Sequence, residues 1–151
     1  PGFGYFGDGG VFANNPTVVA VAEALANGLA SDLGSLRVLS LGTGVSPEGL
    51  TQDEIGDPLK WGATKWLWPL KSGGVPAEAL LSLTMDTTAA LAARQAEQIL
   101  GGNYQRGNYV LSQPVALDDY EQVALLESET DAYMQTAEWQ AVCQWVEANW
   151  Q

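Results

Sequence analysis

Apolar positions recur along this chain with different spacings, and the spacing separates its elements. Val18, Ala22, Leu25 and Leu29 fall four, three and four residues apart, which lines one side of a helix. Asn15 stands before it with a side chain able to accept from a free helix-start amide. Pro16 lacks an amide hydrogen and so suits the first helical position. The pattern predicts that this helix stops near Ser31–Gly34. Leu36–Leu41 is then almost continuously apolar, as expected of a strand covered on both faces in a parallel sheet, and Gly42-Thr43-Gly44 ends it.

A polar loop leads to about Pro58. Beyond it Leu59, Ala63, Trp66, Leu67 and Leu70 share one side of a helix predicted over 59–70, with Trp61, Lys65 and Trp68 on another. Ser72-Gly73-Gly74 breaks it. Pro76 opens a long alanine-rich helix that Gly101-Gly102 terminates. Tyr109-Val110-Leu111 is the second strand candidate. One or two helices follow from about Tyr120, with Trp139, Val142, Val146 and Trp150 along one stripe. Helices alternating with sparse buried strands predict an α/β fold in a single domain over residues 1–151. Two or three strands are few for such a sheet, so the others are expected upstream of Pro1.

Composition narrows the chemistry. With 46% hydrophobic residues the chain can bury a core. No apolar run reaches the ~18 residues that cross a bilayer. A formal net charge of −12 argues against a nucleic-acid partner, which needs clustered Lys and Arg. The one cysteine, Cys143, lies at helical spacing from Trp139 and Val146 and is expected as a core thiol in a reducing compartment. Histidine is absent, which removes a Ser-His-Asp or Cys-His arrangement and any histidine metal site built from these residues. No cofactor is implied. Chemistry here must use carboxylates, hydroxyls, backbone amides or groups from elsewhere.

Asp8 is flanked by Gly7 and by Gly9-Gly10. Glycines let the backbone turn sharply and let a ligand approach, so a carboxylate on such a turn suits proton transfer. The same residues also fit an Asp that only hydrogen-bonds the backbone of its own turn. Gly2-Phe3-Gly4-Tyr5-Phe6-Gly7 has the spacing of a dinucleotide-binding loop. It lacks the preceding strand and the following helix that loop needs, and an acidic residue stands where phosphate would lie. Asp118-Asp119 reads as a helix N-cap before Tyr120 rather than a metal site, and Glu127, Glu129 and Asp131 read as solvated helix faces.

Three blocks in order carry a resemblance to a known family. Gly7-Asp8-Gly9-Gly10 through Asn14-Asn15-Pro16-Thr17 resembles the catalytic-aspartate block of patatin-like lipid acyl hydrolases. Ser40-Leu41-Gly42-Thr43-Gly44 resembles the strand and glycine loop that follow it, and Trp61-Gly62 to Trp68-Pro69-Leu70 the tryptophan-containing helix. The resemblance covers most of residues 1–111. It implies a three-layer sheet-and-helix fold, present here as its C-terminal part, and a serine–aspartate dyad. In that dyad Asp8 takes the serine proton directly, on a turn formed with Gly9 and Gly10. An aspartate is a weak base toward a hydroxyl, so partial burial and an oxyanion hole would have to compensate.

The pattern departs from the family in two respects. No G-x-S-x-G occurs, and Gly44-Val45-Ser46-Pro47-Glu48 lacks the closing glycine, so Ser46 is not assigned as nucleophile. The glycine-rich oxyanion block is missing too. The serine is expected in an N-terminal part of the same protein, and the alternative is a noncatalytic regulatory module that keeps the turn as structure. Lys60, Lys65 and Lys71 are the only lysines, and Trp61, Trp66 and Trp68 share their segment. Lys60, Trp61, Lys65, Trp68 and Lys71 therefore fit contact with a lipid surface, while core tryptophans beside ordinary surface lysines fit the same pattern. The expected partners are an acyl ester substrate and a peripheral membrane surface, in a cytoplasmic location.

Overall fold

The computed structural model describes residues 8–45, 47, 57–60, 62–63, 79–115 and 119–150. The Gly2–Gly7 run, Ser46, most of the 59–70 helix, the Ser72–Gly74 break, the Pro76 helix start and Asp118 lie outside the described residues. The described elements, in chain order, are helix α1 (Gly10–Ala13), α2 (Thr17–Ala26), strand β1 (Val38–Leu41), α3 (Ala79–Leu100), strand β2 (Tyr104–Gly107), α4 (Val123–Met134) and α5 (Ala137–Asn149). Helices accompany a small parallel sheet, so the class is α/β. The chain forms two compact units, one of Pro1–Ala20 with Gly49–Gln95 and one of Val21–Glu48 with Ala96–Gln151.

In the first unit α2 begins as its sequence predicts. Asn15 Oδ1 accepts the Thr17 amide at 3.2 Å and the Thr17 hydroxyl at 2.5 Å. Pro16 fills the first helical position, and its carbonyl takes the Ala20 amide. Within this unit the described covered positions of α3 are Met85, Thr88, Ala89, Ala92 and Ala93. Steps of three and four place them on one face.

The second unit is built around the β1–β2 pair. Val38 pairs with Tyr104 and Leu41 with Gly107 in parallel register. The ladder resumes at a Val45–Val110 bridge. Three residues (Gly42, Thr43, Gly44) span this gap on one side and two (Asn108, Tyr109) on the other, so the β1 side carries one extra residue, a bulge. Gly44 lies in it at φ 101°, a left-handed conformation that favours glycine. Tyr109-Val110-Leu111 thus extends the ladder, while the regular second strand lies five residues earlier, where Gln105 and Arg106 hide it from an apolar pattern.

Helix α5 lies against β2. Its Trp139 ring sits over Gly107, where an added Cβ would lie 3.2 Å from the ring. Tyr133 stacks on Tyr109 at 5.0 Å and meets Trp139 edge-on at 5.7 Å. Val142 is buried, as are Val21, Ala96, Leu100 and Leu111. The Trp145 indole donates to the Gly102 carbonyl at 2.9 Å. Thr136 caps α5 through the Trp139 amide and so divides the C-terminal helical stretch in two.

Several expectations are corrected. Helix α2 stops at Ala26, because Gly28 (φ 68°) turns left-handed and the Leu29 amide closes back on the Ala24 carbonyl. Leu29 therefore leaves the apolar face and is 83% exposed, and Ala22 is exposed as well. The covered stripe is Thr17, Val18, Val21, Ala24 and Leu25. β1 starts at Val38 because the Arg37 guanidinium takes the Gly34 and Leu36 carbonyls. It is not buried on both faces: Leu41 is exposed. Cys143 is exposed, one position off the stripe held by Val142 and Val146. Asp119 occupies the N-cap position before Tyr120, but its side chain makes no cap bond. Glu129 is not a purely solvated face residue: its carboxylate accepts the Ser112 amide, with both oxygens at 3.2 Å, and the Ser112 hydroxyl.

Two glycine substitutions separate backbone strain from crowding. Gly28→Ala meets open space and should cost about 1 kcal/mol for its left-handed backbone alone. At Gly44 a Cβ also comes to 3.0 Å from Leu111, so Gly44→Ala should cost roughly 2–4 kcal/mol. Urea denaturation of both variants checks the order, and equal losses would mean that the bulge is not packed against Leu111.

Candidate functional site

Asp8 is the functional candidate that can be built from its surroundings. Its Oδ1 accepts the Gly10 amide at 2.8 Å, and its backbone carbonyl accepts the Val11 amide at 3.2 Å. One carboxylate oxygen is thereby fixed by the turn that opens α1. The other has no hydrogen-bond partner among the described residues, and Asp8 is exposed. Chemically this is a carboxylate of set orientation with one oxygen open to take a proton.

The two glycines after Asp8 play different parts. Gly9 adopts φ −61° and ψ −24°, a right-handed conformation any residue can take, and nothing lies within 4 Å of where its Cβ would be. A sharp turn does not require glycine there, which corrects the sequence argument for that position. Gly10 is the crowded one. A Cβ there would lie 3.3 Å from Asp8 Oδ1, 3.5 Å from Met85 Cε and 3.6 Å from Asn14 Oδ1. Glycine at 10 lets the carboxylate close onto its own turn.

Asn15 anchors the corner that follows. It is 7% exposed, and besides capping α2 its Nδ2 donates to the Ala89 carbonyl in α3 at 3.2 Å, a tie between residues 74 apart. Sequence reasoning identified the cap but not this tie, because no local pattern encodes a contact across that separation. Lys60 ends a short 3-10 turn, Pro58–Lys60, and lies 3.7 Å from Asp57 across a solvent-exposed ion pair. Such pairs contribute little to stability. Trp61, Lys65, Trp68 and Lys71 lie outside the described residues.

In the second unit the Gly42-Thr43-Gly44 loop follows β1. The Gly42 amide donates to the Gly107 carbonyl, and the Gly44 amide to Asn108 Oδ1 at 3.0 Å. Arg106 Nη1 donates to the buried Ser40 hydroxyl at 2.5 Å. Sequence reasoning missed Arg106 altogether. Its signal is a charged residue paired in register with a serine. The Ser112–Glu129 pair was also missed, and it ties the chain after β2 to α4. No helix among the described residues is long and apolar enough to cross a membrane. No family model, curated protein or solved structure matches this chain.

The geometry predicts how two variants should behave. Asp8→Asn keeps the acceptor for the Gly10 amide and should change stability by less than about 0.5 kcal/mol. Asn15→Ala removes a cap and a buried tie together and should cost about 1–3 kcal/mol. Thermal denaturation compares them, and a larger loss in Asp8→Asn than in Asn15→Ala would contradict the assignment of the anchor.

Proposed function

We propose that this chain is the C-terminal part of a three-layer, patatin-like lipid acyl ester hydrolase. It supplies Asp8 as the general base of a serine–aspartate dyad, and the serine lies on sequence N-terminal to residue 1. The observation that carries the reading is the Asp8–Gly10 turn, with one oxygen held by the Gly10 amide and the other open. The order of the three motif blocks supports it, and the absence of histidine from this chain is compatible with a dyad that does not need one. In the reaction Asp8 would take the serine proton as the hydroxyl attacks the ester carbonyl. It would return that proton to the leaving alcohol, and then activate water to release the acyl group. The Lys60–Lys71 segment is the proposed contact with an anionic lipid surface, each basic residue there being worth about 1 kcal/mol.

A second reading, a noncatalytic regulatory module, is favoured by the same Gly10-to-Asp8 bond, because that bond alone accounts for an aspartate as a turn residue. Ester turnover separates the two. The 151-residue chain alone should hydrolyse no short-chain nitrophenyl ester. In the protein that carries the serine, Asp8→Asn should lower turnover about 10²–10⁴-fold with the fold intact. Near-normal turnover in Asp8→Asn would leave Asp8 a structural turn residue. Charge reversal at Lys60, Lys65 and Lys71 should also abolish cosedimentation with anionic vesicles at low salt, and undiminished binding would remove the surface contact from the proposal.

A further inference from the structure

Arg106 stands out on charge grounds. The chain has 18 acidic residues against 6 basic ones, yet this half-buried guanidinium has no carboxylate partner among the described residues. Its Nη1 donates to the neutral Ser40 hydroxyl, which is itself buried. A charge drawn partly out of water beside neutral groups is costly unless an anion joins it.

The Arg106 guanidinium converges with a second polar side chain, Asn108, at the end of the sheet. Arg106 and Ser40 pair in register on the parallel strands, so their side chains share a face. The guanidinium extends from Ser40 toward the carboxyl ends of the strands: Nη2 lies 2.9 Å from where a Cβ on Gly42 would be. Asn108, two residues on, crowds the same point, so glycine at 42 is what admits both side chains. With Asn108 Oδ1 taken by the Gly44 amide, its Nδ2 is left as a donor. Thr43 is exposed in the same loop, and its amide has no backbone partner among the described residues. Ligands of parallel α/β sheets bind beyond the carboxyl ends of the strands.

We propose that Arg106, Asn108 and the Gly42-Thr43-Gly44 loop form a binding site for a phosphate group. A planar carboxylate would be satisfied by the guanidinium fork alone. The additional donors of Asn108 and Thr43 suit the tetrahedral oxygens of phosphate. The Gly42–Gly44 loop is also one of the three blocks behind the hydrolase reading, but phosphate binding here does not require Asp8 to be a base, since none of these residues belongs to the Asp8 turn.

Isothermal titration of the 151-residue chain tests it at constant ionic strength. The probes are inorganic phosphate, glycerol 3-phosphate and glycerophosphocholine, with acetate as the planar comparison. Phosphate probes should bind and acetate more weakly. Arg106→Gln should weaken phosphate binding roughly tenfold or more, and Thr43→Ala by less. The tightest of the three probes identifies the source as free phosphate, a monoester or a diester. Circular dichroism confirms that each variant is folded, and Arg106→Lys, which keeps the charge but loses the fork, should retain part of the affinity. Acetate binding as tightly as phosphate would overturn the assignment. So would the absence of binding by any phosphate probe, or equal binding by wild type and a folded Arg106→Gln.

Discussion

The second unit depends on close approach at three glycines where an added side chain would crowd its neighbours. At Gly107 the Trp139 ring comes down on β2, at Gly44 the Leu111 side chain fills the bulge, and at Gly42 Asn108 and Arg106 converge. Two four-residue strands joined in one ladder hold little by hydrogen bonds alone, because each bond exchanges with water. These approaches are what let α5 and the chain after β2 pack against the pair. The Tyr109–Tyr133–Trp139 aromatic contacts and the buried Val142 then follow from where α5 is seated.

The first unit has a polar anchor instead. Asn15 spends its oxygen on the start of α2 and its nitrogen on α3, and every buried polar group in such a place must be bonded or it costs stability. Five residues after Gly10, that anchor limits how far the chain carrying Asp8 can stray. The corner gives the Asp8 turn rigid support, while the carboxylate itself stands exposed, whereas the resemblance implies partial burial.

What could be read from sequence was local. The Asn15-Pro16 cap, the position of β1, the end of α3 at Gly101 and the parallel α/β class each follow from neighbours within a few residues. The errors arose where a distant partner decides. β2 is polar at Gln105 and Arg106 because Arg106 answers Ser40 across the ladder, so hydrophobic pattern pointed to Tyr109–Leu111 instead. Gly28 ended α2 before its apolar stripe ran out and left Leu29 exposed. Glu129 looked like a solvated acid until Ser112 came to it. In the candidate site, the Asp8 turn was legible from its glycines, but which glycine is crowded was not. Only the contacts of Gly10 distinguish it from Gly9.

The proposed dyad requires Asp8 to serve a serine carried elsewhere in the same protein. The most direct measurement is labelling of the active protein with a fluorophosphonate ester, followed by mapping of the adduct by mass spectrometry. Such a reagent phosphonylates a serine activated for attack, in competition with an acyl ester substrate. The account predicts a single labelled serine N-terminal to residue 1, with labelling strongly reduced in Asp8→Asn. An adduct on Ser46 or Ser112, or labelling that is indifferent to Asp8→Asn, would contradict it.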